Sequence, residues 1–339
     1  MKKTFLFFFI ALVLGSCEAQ TTSPAVAEKF NGVSFVGNPK PISPEALEKV
    51  IDINANSITL MPFGYGRASE AHLTFENLDW QWWGESAKGV ESCIQQAQAK
   101  GMKVIIKPQL WFNHGSFTGH HTYDNNADWE LFEADYTKFI MIFAKLSEKY
   151  HLPVFCIGTE LCAFAEERPE YWSSLIKSVR DVYKGKLTYA ANWDSYTRMP
   201  FWNELDYIGV DAYFPLSSSE TPTAKELQRA WYPICRKLEK MSKEYDKPFL
   251  FMEWGYRSTN FCADKPWETG KSDDVNLQAQ AIALEAVFTE VWDQPWFAGG
   301  FVWKWFPEYT KAGGSDDNRF TPQNKPGEQV IQRYFQQYD

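Results

Sequence analysis

The sequence lacks the features that mark several large classes of protein. Its 339 residues include 34 lysines and arginines against 43 aspartates and glutamates, a formal net charge of −9, and no stretch is strongly basic. An acidic chain without basic clusters is a poor candidate for binding nucleic acid or anionic lipid. A neutral polysaccharide fits this charge better as a partner.

Cysteine is also scarce. Apart from Cys17, the chain has only five cysteines, an odd number spread over a long sequence, which is not typical of a disulfide framework. One bridge is possible in an oxidising compartment, but the spacing does not select a pair. Most of these side chains are expected to be small buried hydrophobic groups. They are Cys93, Cys156, Cys162, Cys235 and Cys262.

The first residues are predicted to be a targeting signal. Lys2 and Lys3 precede an apolar run, residues 5–14, that is too short to span a bilayer as a helix. Residues 14–17, Leu-Gly-Ser-Cys, resemble the lipobox of bacterial lipoproteins, and an ordinary signal peptide is the alternative. We expect residues 1–16 to be a signal peptide and residues 17–30 a tether. Cys17 would anchor an exported protein to the outer or cytoplasmic membrane, on the periplasmic or cell-surface side.

Residues 31–339 are predicted to form one domain, because no repeat, linker or low-complexity stretch divides them. Apolar runs alternate with amphipathic segments, which is typical of a parallel α/β architecture. Eight units without an edge strand predict a single closed (β/α)8 TIM barrel, whose site lies at the carboxyl ends of the strands. The candidate strands are residues 32–37, 56–63, 103–111, 154–160, 186–193, 207–213, 248–254 and 300–305.

Two glutamates stand where predicted strands give way to loops. Glu160 closes the run 153–160, and Glu253 closes the run 248–253. A carboxylate in such a place is costly to bury unless it is paired, hydrogen-bonded or solvated in a cleft. A pair of carboxylates can hydrolyse a glycosidic bond, with retention at a separation of about 5–5.5 Å or inversion at roughly 6.5–9.5 Å. The sequence alone leaves both outcomes open.

Strand parity predicts which other side chains face the barrel interior. In the third strand the apolar residues face the helices, so that Lys107, Gln109 and Trp111 point inward. In the sixth strand the same reasoning turns Asp211 inward, and Lys107 could then be its buried partner. The full inward set near the mouth is Glu160, Glu253, Lys107, Gln109, Trp111, Asn192, Tyr213 and Trp303.

Four short runs resemble a known group of enzymes. They are Ile-Gly-Thr-Glu up to Glu160, Asp-Ala-Tyr-Phe-Pro from Asp211, Phe-Met-Glu-Trp-Gly-Tyr around Glu253, and Gly-Phe-Val-Trp-Lys-Trp around Trp303. Together they resemble the barrel glycosidases of clan A. Within that clan the chain is most similar to glycoside hydrolase family 113, the β-mannanases. Residues 317–326 of this chain also resemble the tail of that family. The resemblance runs from about Asn31 to Tyr338.

The resemblance implies a retaining mechanism with distinct roles for the two glutamates. Glu160, after the fourth strand, would be the acid/base, and Glu253, after the seventh, would be the nucleophile. Tyr213 would hydrogen-bond the nucleophile, and Trp303 would form the floor beneath the sugar that is cleaved.

The residue before the acid/base departs from the clan pattern. Clan members commonly have asparagine there to bind the sugar 2-hydroxyl, whereas this chain has Thr159, and Asn192 could supply the contact instead. Aromatic residues make up 17% of the chain, including 15 tryptophans, and cluster after predicted strands, which favours sugar subsites along a cleft. Further substrate contacts are expected from Lys107, Gln109, Trp111 and Trp305.

The sequence therefore predicts a monomeric endo-acting glycoside hydrolase for β-1,4-mannan or glucomannan that needs no cofactor or metal. The alternatives are another β-glycan, exo action on mannooligosaccharides, or a glycan-binding lipoprotein without catalysis. The presence of both carboxylates argues against the last. His114, His120 and His121 match no common zinc pattern and are expected to be loop residues or sugar contacts.

Overall fold

The computed structural model describes residues 29–338 except 68–69, 77, 113–116 and 269–270. The predicted signal peptide, Cys17 and His114 lie outside the described residues. In the part of the chain that is described, no helix is both long and apolar enough to cross a membrane. The first strand begins at Phe30, the last residue of the predicted tether.

Eight parallel strands close into a barrel, which confirms the predicted fold. The last of these strands pairs with the first and leaves no edge. In order around the barrel the strands are β1 (Phe30–Phe35), β2 (Ser57–Leu60), β5 (Lys103–Ile106), β7 (Val154–Thr159), β8 (Lys186–Asn192), β9 (Ile208–Asp211), β10 (Phe249–Trp254) and β11 (Phe297–Trp305).

Helices surround the barrel. Several begin at a side chain that accepts a hydrogen bond from a backbone N–H of the first turn, as Ser86, Asn125, Thr223 and Asn276 do. Only two short 3₁₀ turns follow β8, in line with the weak helical pattern there. The helices are α1 (Glu45–Ile51), α2 (Ala87–Ala99), α3 (Asn126–Lys149), α4 (Cys162–Glu167), α5 (Pro169–Val182), α6 (Ala224–Tyr245), α7 (Leu277–Val287) and α8 (Pro326–Phe335).

Apolar side chains pack in two layers, one inside the barrel and one between the strands and the helices. Ile105, Cys156, Met252 and Phe301 belong to the smaller cluster, which fills the barrel interior. Gly32 on β1 makes room for it, since a Cβ there would lie 2.3 Å from the Phe301 ring. Because the interior is packed, a substrate can reach the barrel only at its mouth.

A small second sheet, which the sequence did not predict, extends the barrel mouth. It consists of β3 (Phe63–Gly66), β4 (Leu73–Thr74) and β6 (Gln109–Phe112), in the order β4-β3-β6. Single strands were predicted over residues 56–63 and 103–111, but both divide near a proline, Pro62 and Pro108. Proline has no N–H to donate to a ladder, and the chain beyond each proline pairs in the second sheet instead. We call β3, β4 and β6 the accessory sheet.

All five described cysteines are free. Four of them are buried, and burial raises the pKa of Cys93 and of Cys156 to about 12, so both thiols stay protonated. The prediction of small buried hydrophobic groups is confirmed for these positions.

Candidate active site

A cavity of about 500 Å³ opens at the carboxyl ends of the barrel strands. Glu160 and Glu253 both line it, so the two glutamates that the sequence singled out do share one site. Three further predicted residues, Asn192, Tyr213 and Trp303, line the same cavity. The remaining lining residues are Phe117, His120, Trp193, Asp194, Trp267 and Phe320.

Glu160 is held by an unusual backbone conformation at the end of β7. Its φ angle is +53°, in the left-handed region that residues other than glycine rarely adopt. The Glu160 N–H donates to the carbonyl of Ala190 in β8 at 2.8 Å. The hydroxyl of Thr118 donates to the carbonyl of Glu160 at 3.5 Å. Such a conformation persists when neighbouring contacts determine it, and here they fix the direction of the Glu160 side chain.

A bulge in β10 turns Glu253 into the cavity. By simple alternation Glu253 shares a face with Phe249 and Phe251, yet both phenylalanines pack toward the helices, while Leu250 and Met252 fill the interior. The register with β9 shifts between Phe251 and Glu253, and one extra residue reverses the face that follows it. The predicted inward position of Glu253 is right, but the parity argument that led to it is wrong.

Three side chains donate to the Glu253 carboxylate. The Tyr213 hydroxyl donates to Oε2 at 2.7 Å, and the Gln109 amide donates to Oε1 at 2.9 Å. The Lys107 ammonium group forms an ion pair and a hydrogen bond with the same Oε1. A nearby cation and several donors favour the charged form of a carboxylate, and they also fix its orientation.

Lys107 lies behind two cavity residues, paired with Glu253 and with its ammonium group 5.3 Å from the centre of the Trp303 ring, which corrects the prediction that it contacts substrate. Its side chain is 0% exposed. Burial lowers the pKa of Lys107, but the carboxyl groups of Glu253 and Asp211 outweigh this effect, and the net pKa is raised. Lys107 therefore stays charged.

Asp211 is a third carboxyl group in this cluster. It is fully buried on β9 and pairs in register with Glu253. Among the described residues, neither of its carboxyl oxygens has a hydrogen-bond partner. Burial and the negative charge of Glu253 raise the pKa of Asp211 well above its usual value. Lys107 is therefore the partner of Glu253 and not, as the sequence allowed, of Asp211.

Glu160 lies in the opposite electrostatic setting. Within the described part of the chain, its carboxyl group has no ion pair and no side-chain hydrogen bond, in contrast to that of Glu253. Burial and the negative charge of Glu253 raise the pKa of Glu160 to about 8. It therefore carries a proton at neutral pH. One cavity thus presents a charged carboxylate and a protonated carboxylic acid, the combination that glycoside hydrolysis requires.

The other predicted substrate contacts differ in how well they are placed. Asn192 and Trp303 are partly exposed on the cavity wall, and the peptide bond after Trp303 is cis. Thr159 is 8% exposed, and its hydroxyl donates to the carbonyl of Pro108 at 3.0 Å. Trp111 does not line the cavity and lies on the accessory sheet. Asn192 is therefore better placed than Thr159 to meet a sugar hydroxyl.

Trp305 is not at the site, which corrects the prediction that it binds substrate. It is fully buried between the barrel and the surrounding segments, with its ring centroid 6.0 Å from that of Tyr309. Val33 of β1 pairs with Val302 of β11, but Phe35 pairs with Trp305. The extra residue in β11 forms a bulge, so Trp303 and Trp305 do not share a face.

Aromatic residues that the sequence analysis did not assign complete the cavity. The rings of Trp193 and Trp267 stack at 4.7 Å, and Phe320 makes an edge contact with Tyr213 at 6.0 Å. Phe320 belongs to the tail run 317–326, which could have drawn attention to it. Trp267 lies in a long loop whose fold depends on distant contacts, and no local pattern marked it.

The tail run is anchored beneath Phe320 by a buried lysine. Lys325 is 4% exposed, and its ammonium group donates to the Ser258 hydroxyl at 2.9 Å and to Asp317 Oδ1 at 2.7 Å. It also donates to the carbonyl of Arg319 at 2.9 Å. These bonds fix the segment that carries Phe320 to the cavity wall.

A (β/α)8 barrel with two carboxyl groups in one cavity at its mouth is the arrangement of a glycoside hydrolase. The family description Glycoside Hydrolase Family 113 matches residues 40–325, and the chain belongs to that family. A comparison with curated proteins found no match.

Solved structures share the fold. The GH113 β-mannanase AaManA of Alicyclobacillus acidocaldarius, in complex with ManMIm, has a TM-score of 0.80 at 24% identity, covering 92% of this chain and 98% of that chain. A GH113 β-1,4-mannanase has a TM-score of 0.75 at 25% identity, covering 91% and 99%. A β-glucuronidase of Faecalibacterium prausnitzii has a TM-score of 0.59 at 14% identity, covering 94% of this chain and 50% of its own.

The buried pairing of Lys107 with Glu253 predicts a stability effect. Lys107→Met leaves an uncompensated buried charge on Glu253, and the free energy of unfolding in urea should fall by about 3–5 kcal/mol. Adding Glu253→Gln to this variant removes the charge and should restore most of the loss. Lys243→Met, at the exposed ion pair with Glu239, is the matched control and should change little. An equal effect of Lys107→Met and Lys243→Met would contradict the pairing.

Proposed function

We propose that the protein is a retaining endo-β-1,4-mannanase that acts on mannan or glucomannan. The observation that carries this proposal is the electrostatic difference between Glu160 and Glu253 in a single cavity. Family membership and the β-mannanases among the similar solved structures support the choice of sugar. The aromatic walls formed by Trp193, Trp267 and Trp303 support binding of a glycan chain.

In the first step, the Glu253 carboxylate attacks the anomeric carbon and the bond to the leaving oxygen breaks. Glu160 donates its proton to that oxygen, and a covalent glycosyl ester forms on Glu253. In the second step, Glu160 accepts a proton from water while the water oxygen attacks the same carbon and releases Glu253. The two displacements together retain the β configuration.

Because Glu160 must begin protonated, hydrolysis of mannan measured across a pH series should be present below the Glu160 pKa of about 8 and lost as the pH rises through it.

Tyr213 and Asn192 would support this reaction from the ends of the neighbouring strands β9 and β8. The Tyr213 bond to Oε2 leaves the Glu253 carboxylate in one orientation. Asn192 is the residue we assign to the sugar 2-hydroxyl, because it lines the cavity and Thr159 does not. The Oδ1 atom of Asn192 accepts from the Trp193 N–H at 2.9 Å, so its amide NH2 group would donate to the hydroxyl. Trp303 would carry the apolar face of the sugar ring.

Variants of the two glutamates test the assignment of roles. Glu253→Ala should lose essentially all hydrolysis of β-1,4-mannan. Glu160→Ala should keep slow turnover of an aryl β-mannoside with a good leaving group, and azide should rescue it to give the β-mannosyl azide. The products are identified by proton NMR. Glu239→Ala, an exposed glutamate on α6, is the control and should behave as wild type.

Three results would contradict the proposal in whole or in part. Formation of a β-mannosyl azide with Glu253→Ala, together with an α-mannosyl azide from Glu160→Ala, would mean that the two roles are exchanged. A wild-type enzyme that releases the α-anomer first from a β-linked substrate would be inverting. Hydrolysis of other β-glycans but not of mannan would instead refute the proposed sugar and leave the chemistry intact.

We also propose that the protein is exported and held at a membrane by a lipid on Cys17. The proposal is supported by the lipobox-like residues 14–17 and by the short apolar run, residues 5–14, that follows Lys2 and Lys3. Cells fed radiolabelled palmitate should label the wild type and the Cys235→Ala control, whereas Cys17→Ala should lose the label and leave the membrane fraction. Undiminished labelling of Cys17→Ala would refute the anchor.

A further inference from the structure

The accessory sheet has two chemically different faces. One face packs into the core, where Leu110 and Phe112 of β6 and Leu73 of β4 are buried. The neighbouring glycines allow this close approach, since a Cβ on Gly64 would lie 2.9 Å from Leu110. Alternation along the strands sends the remaining side chains to the other face.

The opposite face carries aromatic and polar side chains. Tyr65 of β3 pairs in register with Trp111 of β6 on one side and with Thr74 of β4 on the other. One step nearer the barrel, Phe63 pairs with Gln109. Successive pairs on one face of a sheet lie side by side, so Gln109 and Trp111 belong to the same continuous surface.

Three aromatic rings on this face form an exposed group, which we call the aromatic patch: Tyr65, Trp80 and Trp111. Trp80 is 61% exposed and Trp111 is 49% exposed, both high values for tryptophan. Tyr65 makes edge contacts with Trp80 at 4.6 Å and with Trp111 at 6.4 Å. Its hydroxyl donates to Glu85 at 2.5 Å, which fixes the central ring.

The aromatic patch borders a surface pocket of about 390 Å³ that also has polar walls. Arg67, Glu70 and His72 lie on its rim, and Thr74 lies beside Tyr65. An exposed flat ring surrounded by hydrogen-bonding groups suits a pyranose, which has an apolar C–H face and polar hydroxyl edges. The nine residues that line this pocket are far fewer than the roughly 20–30 residues a side of a stable protein interface.

The aromatic patch is continuous with the candidate active site through β6. Gln109 donates to the Glu253 carboxylate at 2.9 Å. Trp111 lies two residues further along the same strand and on the same face, roughly 7 Å outward along the strand. Trp111 does not line the catalytic cavity, so the patch lies beyond it on a path that starts at the nucleophile.

We propose that the aromatic patch is a remote glycan subsite, which binds a sugar of a long β-linked chain some distance from the bond that is cleaved. The inference rests on the proposed function to the extent that the chain bound there is also the chain that is hydrolysed. It adds a reason for the enzyme to prefer long glycans to short ones, because only a long chain spans both the catalytic cavity and the patch.

The preference for long chains is the quantity to measure. The ratio of kcat/KM for mannohexaose to that for mannotriose should fall about tenfold in Trp80→Ala and in Trp111→Ala, since each loses a stacking surface. Trp111→Phe keeps a flat ring and should retain most of the ratio. Tyr232→Ala, which removes a 63% exposed ring on α6, is the matched control and should keep the wild-type ratio. Thermal unfolding of each variant shows whether the fold is preserved.

Binding without hydrolysis separates this inference from the proposed function. In a Glu253→Ala background, retardation in gels containing β-1,4-mannan or other soluble β-glycans should be reduced by Trp80→Ala and by Trp111→Ala. If the wild type hydrolyses mannan, but Trp80→Ala and Trp111→Ala change neither the ratio of kcat/KM values nor the retardation, the inference about the aromatic patch is overturned and the proposed function stands. No hydrolysis of mannan, together with retardation by another β-glycan that needs Trp80 and Trp111, would support the patch and refute the proposed sugar.

Discussion

The buried ion pair between Lys107 and Glu253 is the interaction on which the candidate active site depends. A carboxylate at this depth is costly unless a cation and good donors compensate it, and Lys107, Gln109 and Tyr213 supply both. The charge kept on Glu253 then acts on its neighbours. Together with burial, it raises the pKa of Glu160 to about 8 and the pKa of Asp211 well above its usual value. One well-compensated charge thus sets the protonation of two other carboxyl groups.

Irregularities in the strands place these groups where they can act. A regular barrel strand alternates strictly between the core and the interior, and Glu253 counted from Phe249 would then face the helices. The bulge in β10 reverses this, and the bulge in β11 places Trp303 at the cavity and Trp305 in the core. The prolines near the ends of β2 and β5 divert the chain into the accessory sheet. That sheet brings Gln109 to the nucleophile and carries the aromatic patch outward.

Much of this could be predicted from the sequence because it depends on local patterns. The alternation of apolar runs with amphipathic segments predicts the barrel, and Glu160, Glu253 and Tyr213 stand in short runs that resemble a known family. Lys107 was misassigned because its role depends on Glu253, which faces it across the barrel, and Trp305 because a bulge in β11 turns it away from the cavity. A bulge is defined by the register between two strands, so it cannot be predicted from the sequence of one strand alone. Trp267 and the accessory sheet likewise depend on contacts between distant segments.

The protonation of Glu160 is the most direct test of this account. Carbon-13 NMR of glutamate-labelled protein follows each carboxyl group with pH, and Glu160→Gln identifies the Glu160 resonance. The account predicts a Glu160 pKa near 8 in the wild type. In Glu253→Gln the pKa should be lower, because a neighbouring charge is lost, but it should stay above the usual value of about 4.3 because burial remains. A Glu160 pKa in the usual range, or one that Glu253→Gln leaves unchanged, would contradict the account.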